Sequence, residues 1–273
     1  MTGKADTKQK KIAQGHARVQ KVRWIAPIVT VIAAVALWQA ACSFGIVPTY
    51  IVPSPVDVCV ALVRDADLLT MHSCVTLFEA LVGLVCGVAI GFAIAALMDR
   101  FSIVDAALSP LITISQTIPT VAIAPLLVLW LGYDMLPKVV LVALTTFFPI
   151  TVSLAQGFRS VDRDTIDLMR TMGASWWQTF RFVKLRAAAA SFFSGLRISA
   201  TYAIVGAVVA EWLGGFNGLG VYMTRVRKSY AYDEMFASII IISVLSLVLL
   251  GIVALIERAC MPWRRKGNQI DKQ

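Results

Sequence analysis

Residues 75–98, VTLFEALVGLVCGVAIGFAIAALM, contain one charged side chain, Glu79, in 24 positions. A helix rises ~1.5 Å per residue, so a run of this length reaches across a hydrocarbon layer of ~30 Å. Lipid offers the backbone no hydrogen-bond partners, and a helix satisfies each N–H and C=O internally. Within the run, Gly83, Gly87, Gly91 and Ala95 recur every four residues. Such a stripe lets a second helix backbone approach closely where no hydrophobic effect drives association. The stretch reads as a packed membrane helix.

The rest of the chain follows the same rule. Of 273 residues, 58% are hydrophobic and 15% charged, and the mean hydropathy is +0.76. Soluble domains run at about 45–50% and about 25%. Apolar runs at 24–44, 75–98, 106–131, 137–157, 191–213 and 236–256 predict an all-α integral membrane protein of about six transmembrane helices. The predicted organisation is a basic tail over 1–23, one transmembrane domain over 24–256 and a second tail over 257–273. An uncleaved first helix is expected. The lipoprotein-like Gln39-Ala40-Ala41-Cys42 has Gln39 where a cleavage site wants an aliphatic residue.

Charge placement orients the bundle. Six spans put both tails on one side with the loops near 99–105 and 158–190, and that side holds 19 of the 25 lysines and arginines. The positive-inside rule then places both termini in the cytoplasm. Arg225, Arg227 and Lys228 violate it locally, on the outer side. The net charge of +9 sits between and outside the apolar runs, a topology signal assisted by membrane lipid rather than a nucleic-acid surface.

The third span is interrupted by Pro110, Pro119 and Pro125, with the polar run Ser115-Gln116-Thr117 before Pro119. Proline removes a backbone donor and crowds the preceding turn. A bent helix lining a passage and a packed kink both satisfy this pattern. Glu79 and Glu211 fall near the outer ends of their spans. Each is read as contacting solute, closing an outer gate, or pairing with Arg225, Arg227 or Lys228. Arg197 is expected to snorkel to the inner interface. His16 is expected to be solvated and His72 interfacial. The five cysteines lack metal-ligand spacing, and Cys59 and Cys74 are expected as reduced thiols. There is no Gly-x4-Gly-Lys-[Ser/Thr] phosphate loop and no catalytic cluster, so catalytic, cofactor and metal sites are not expected on this chain.

The loop 158–190 is the longest on the cytoplasmic side, FRSVDRDTIDLMRTMGASWWQTFRFVKLRAAAA in sequence. Asp164 is predicted to cap a short helix over 165–172, with Asp167 three residues on, and both acids favour the positive helix N-terminus. Gly173 suits the left-handed position that ends it. Ser175 and Gln178 form a capping box that starts a second short helix. Ile166, Leu168, Met169 and Met172 are too many apolar side chains for a free loop. They pack either on the protein's own cytoplasmic face or on a partner.

This loop resembles the signature of the permeases of binding-protein-dependent ATP-binding cassette importers, Glu-Ala-Ala-x3-Gly-x9-Ile-x-Leu-Pro. Here the positions read Asp167-Leu168-Met169, Gly173 and Val183-Lys184-Leu185-Arg186. Leu168 and Met169 stand for alanines and Arg186 for proline. Over about residues 45–260 the chain is similar to the sulfonate, taurine, nitrate and aminopyrimidine branch. The stretches that carry it are Ile51–Pro55, Gln116–Pro119 with Pro125-Leu126, Phe147–Ile150, Gly195–Arg197, Ala210–Trp212 and Gly218–Gly220.

The resemblance implies the type I importer permease fold in a bacterial inner membrane, and a pair of permease copies, expected as a homodimer. It also implies two separate ATPase subunits that carry ATP and Mg, and an extracytoplasmic substrate-binding protein. Asp164, Asp167, Leu168, Met169, Arg170, Met172, Gly173 and Ala174 would form the coupling helix gripped by the ATPase. Gln116, Thr117, Pro119, Thr120, Tyr202 and Glu211 are the candidate translocation path. The cargo expected first is an aminopyrimidine thiamine precursor, from the likeness of residues 222–228, then a sulfonate, taurine or nitrate. The rival reading, an ion- or proton-coupled secondary transporter, would show inverted repeats and mid-membrane carboxylates. No such repeat is visible.

Overall fold

A computed structural model describes residues 26–48 and 51–262. The basic tail with His16, and most of the C-terminal tail, lie outside the described residues. The helices are α1 (Ala26–Ser43), α2 (Pro55–Arg64), α3 (Ala66–Arg100), α4 (Ser102–Ser115), α5 (Thr120–Leu131), α6 (Met135–Arg159) and α7 (Arg163–Thr171). They continue with α8 (Trp176–Thr179), a π-helical turn (Phe180–Lys184), α9 (Leu185–Leu213), α10 (Leu219–Lys228) and α11 (Tyr232–Cys260). Among the described residues, five helices are long and apolar enough to cross a membrane, or six when the bent pair α4 and α5 counts as one span.

The described residues divide into two units, one lying within residues 26–64 and 231–237, the other within 65–230 and 238–262. In the first, Arg64 pairs with Asp233 and Glu234, and Trp38 packs on Phe236 with ring centroids 5.8 Å apart.

The second unit is built around α6. The small-residue stripe of α3 lies against it: a Cβ at Gly91 would fall 2.9 Å from both Ile150 Cγ2 and the Phe147 carbonyl oxygen. Gly195 of α9 approaches a neighbouring face of α6, where an added Cβ would sit 2.8 Å from the Pro149 carbonyl oxygen. Ser199 donates to the Thr146 carbonyl at 2.8 Å, tying α9 to α6 by a buried bond. Close packing and interhelical hydrogen bonds hold such a bundle in lipid. The surrounding core is aliphatic, with Ala80, Val142, Ala200, Ala203 and Ile204 all buried.

Several boundaries differ from the sequence expectation. The third span is two helices at 97° to each other. The break falls at residues 116–119, with Pro119 preceding α5, whereas Pro110 and Pro125 stay inside their helices. The loop 158–190 is also shorter than expected. The helix that Ser175 starts is not short but runs through the π turn into α9, giving one segment over Trp176–Leu213. Nothing between Trp176 and Leu213 breaks it, and the alanines at 187–190 have the highest helix propensity. All five cysteines are free thiols.

Candidate functional site

Three places carry chemistry or unclaimed surface. The first is α7. Its cap is Asp162 rather than Asp164: the Asp162 carboxylate accepts from the Asp164 N–H at 3.4 Å, and the helix covers Arg163–Thr171. Asp162 has the extended backbone a cap needs. Asp164 instead lies in the first turn, where its charge still favours the helix N-terminus. The other end closes as the sequence predicts. Gly173 has φ +77°, the Ala174 N–H donates to the Met169 carbonyl and the Gly173 N–H to that of Arg170, both at 2.9 Å. This is a Schellman motif, which satisfies carbonyls the helix end would leave open. The Ser175–Gln178 capping box follows at once, with both reciprocal bonds formed.

No residue of α7 is buried. Leu168 is 60% and Met172 74% exposed, one turn apart on one face. Asp167 and Arg170 form an exposed pair at 3.4 Å. Of the two readings of the apolar side chains, packing on the protein's own face does not apply to Leu168 and Met172.

The segment leaving α7 is anchored. Trp176 stacks on Phe180 at 5.0 Å, and Phe180 meets Phe158 of α6 at 5.2 Å. The Arg100 guanidinium stands 5.1 Å over the Trp176 ring, an attractive cation–π geometry. Lys184 donates to Asp99 at 2.6 Å with both side chains largely buried. Asp99 and Lys184 were invisible to sequence reasoning as a pair, being 85 residues apart. The only signal was their place at the inner ends of spans.

The second place is the break between α4 and α5. A cavity of about 290 Å³ is lined there by Ser115, Gln116, Ile118, Pro119, Thr120, Thr145, Phe148, Pro149 and Tyr202. Four candidate path residues, Gln116, Pro119, Thr120 and Tyr202, therefore meet around one space. Thr117 is not among the lining residues; its hydroxyl donates to the Ile114 carbonyl at 2.7 Å. Sequence reasoning did not assign Thr145, Phe148 and Pro149 to the site. Pro149 lacks the N–H that would bond the Thr145 carbonyl, so a freed carbonyl belongs to a lining residue. Irregular backbone at membrane depth is tolerated where protein or a wet cavity serves it.

The third place is the opposite end of the unit from α7, and here lies Glu211. Its carboxylate accepts from the Thr76 hydroxyl at 2.7 Å and from the Gly220 N–H at 2.6 Å. The Leu219 N–H donates to Thr76 Oγ1 at 2.8 Å and the Gly218 N–H to His72 Nδ1 at 3.0 Å. These bonds satisfy the first N–H groups of α10 and put a carboxylate at its positive end. Gly218 has φ +122°, and any Cβ there would meet the Glu211 carboxylate.

Beside this cluster Lys138 pairs with Glu79 at 2.6 Å, the side chains 5% and 4% exposed. The expected partners of the glutamates, Arg225, Arg227 and Lys228, are thus replaced by Lys138 for Glu79 and by backbone and hydroxyl donors for Glu211. His72 is buried rather than interfacial. Arg197, half exposed, pairs with Glu257 of α11.

A polytopic helical bundle with a cavity of mixed polar and apolar lining at a broken span and a stiffened helix displayed at one end is the form of a membrane transport subunit. The chain belongs to the family described as binding-protein-dependent transport system inner membrane component, whose model matches residues 87–261. It is 40% identical over 229 residues to the "Probable ABC transporter permease protein" of Haemophilus influenzae, covering 84% of this chain and 94% of that one. It is 36% identical over 218 residues to the formylaminopyrimidine transport permease protein ThiX of Halalkalibacterium halodurans, covering 80% and 87%. More distant relatives are named for riboflavin and taurine transport. The fold is also that of the inward-facing MetNI methionine ABC transporter, with a TM-score of 0.63 at 19% identity, over 72% of this chain and 97% of the solved one. The chain is thus the membrane-spanning permease subunit of an ATP-binding cassette importer, a translocation subunit with the type I permease fold.

Proposed function

We propose that residues 24–256 act as one permease domain with both tails in the cytoplasm, driven through α7 by a separate ATPase. The observation that carries this is a capped, Schellman-terminated helix with no buried residue and with Leu168 and Met172 exposed. Apolar side chains on a rigid, finished helix suit a cleft on another protein. Asp164, Asp167 and Arg170 rim that contact, and Met169, Gly173 and Ala174 hold its shape. ATP and Mg belong to two partner ATPase copies. Their closure rocks two permease copies, a homodimer, about a solute path through the cavity at the α4–α5 break. The anchoring of the α7 exit to α3 and α6 supports this reading, because it transmits displacement of the loop into the bundle.

The cargo is a small uncharged heteroaromatic solute of the aminopyrimidine kind, delivered by an extracytoplasmic binding protein. Hydroxyls, an amide and aromatic rings line the cavity, with no charged side chain among its lining residues. A sulfonate or nitrate path would be better served by a cation.

Co-purification with the ATPase tests the coupling role. Gly173→Pro cannot adopt φ +77° and is expected to lose both ATPase retention and uptake while still inserting. Leu168→Ser with Met172→Ser is expected to do the same without touching the backbone. Retention by both variants would refute the role of α7. Direct ligand binding by the cognate receptor tests the cargo, and taurine bound in preference to an aminopyrimidine would overturn it.

A further inference from the structure

The basic residues that break the positive-inside pattern converge on one surface. Arg225, Arg227 and Lys228 lie in the last turn of α10 and are all exposed, whereas Leu219, Gly220, Tyr222 and Val226 bury the other face. Among the described residues none of the three cations has a carboxylate within ion-pair distance. A basic residue near a helix C-terminus gains from the helix dipole, but that gain does not call for three cations on the side that topology disfavours.

The helix beneath them is held firmly. The bonds from Gly218, Leu219 and Gly220 to His72, Thr76 and Glu211 fix its N-terminus to α3 and α9. The cations are therefore displayed on a rigid support, and rigid display lowers the ordering cost of binding. Beside them is a notch of about 280 Å³, lined among others by Trp212, Thr224, Arg225 and Lys228, and by the buried Glu211, whose carboxylate is already taken up by Thr76 and the Gly220 N–H. Trp212 is half exposed.

We propose that the outward face of α10 is the docking surface for an acidic projection of the extracytoplasmic binding protein, with Arg225 and Lys228 receiving a carboxylate in the notch beside Trp212. This rests on the orientation given under Proposed function. A concave notch with a guanidinium and an ammonium at its edge seats one projecting carboxylate of a folded partner, and arginine binds carboxylates in two-pronged geometry. Arginine and tryptophan are also the side chains that anchor protein interfaces. A flat headgroup layer would use the three charges but not the notch.

The test uses the full permease–ATPase complex in phosphatidylcholine nanodiscs and the purified binding protein of the same transport system. Arg225→Glu with Lys228→Glu is expected to weaken association at least about tenfold at low salt, mainly through faster dissociation and slower encounter. Wild-type affinity is expected to fall as salt rises from about 0.05 to 0.5 M, and the variant's to be nearly flat. Arg225→Gln with Lys228→Gln should lie between, with basal ATPase activity unchanged in both.

Salt-insensitive wild-type binding, or unchanged affinity in the variants, would overturn the proposal. So would an effect confined to discs containing phosphatidylglycerol, which would assign the cations to lipid. Ser229→Cys in a cysteine-free background separates the two readings. Labelling by an impermeant maleimide only from the cytoplasmic side would refute the orientation itself. Labelling from outside, with salt-insensitive binding, would refute the docking surface alone.

Discussion

The two ends of the bundle handle charge in opposite ways. At the α10 end, Glu79, Lys138, Glu211 and His72 are all buried, and their bonds converge on a loop and a helix start. At the α7 end the acids and bases of the displayed helix stay exposed, and only Asp99 and Lys184 at its root are drawn inside. Buried charges that are paired are expensive to disturb and define one geometry. Exposed ones tolerate change and leave the surface free to meet a partner. The buried cluster under α10 is thus built to stay as it is, a fixed base for that helix's exposed cations, whereas α7 as a whole is left free to be held by something else.

That contrast can be broken most forcefully at Lys138. Replacing it with Met leaves Glu79 buried without its cation and is expected to destabilise the protein by about 3–5 kcal/mol. Thermal unfolding in detergent would measure this, and adding Glu79→Leu should recover most of the loss. Should Lys138→Met unfold like the wild type, the pair is not the buried anchor described here.

Glu211→Ala is next in size. It strands the Gly220 N–H at the start of α10 and should destabilise by about 1–3 kcal/mol. Hydrogen exchange over 218–222 should rise more than exchange in α6.

At the other end, Gly173→Ala forces a side chain into the left-handed region, at about 1–2 kcal/mol. The strain falls on an exposed helix end, so reduced ATPase retention is expected with little change in the global unfolding temperature. Equal loss of global stability would erase the distinction between the ends. The smallest effect is expected for Arg170→Ala, whose pair with Asp167 is long and exposed. No change in unfolding temperature should be measurable in detergent.

How much of this was legible beforehand varies with the range of the interaction. The end of α7 at Gly173 and the capping box at Ser175 and Gln178 were readable because each involves residues within a few positions of one another. The start of α7 was misassigned by two residues because Asp162 and Asp164 are both competent caps, and the backbone conformation at 162 decides between them. The glycine stripe announced a close helix contact but not its partner, α6. The polar run at 115–117 announced the bend, while Thr145, Phe148 and Pro149, which the sequence reading did not assign, reached the same cavity from α6.

The amino-acid sequence alone determined that this is a multi-span helical membrane protein, that prolines interrupt one of its spans, and that a short capped helix sits in its longest basic loop. Those features follow from hydropathy, backbone chemistry and contacts between near neighbours. Only the tertiary structure decided that Lys138 serves Glu79, that Glu211 secures the start of α10, and that Lys184 ties the root of α7 to Asp99. A charge carries no mark of the distant residue it will pair with. Which donor reaches which carboxylate depends on how closely the helices approach.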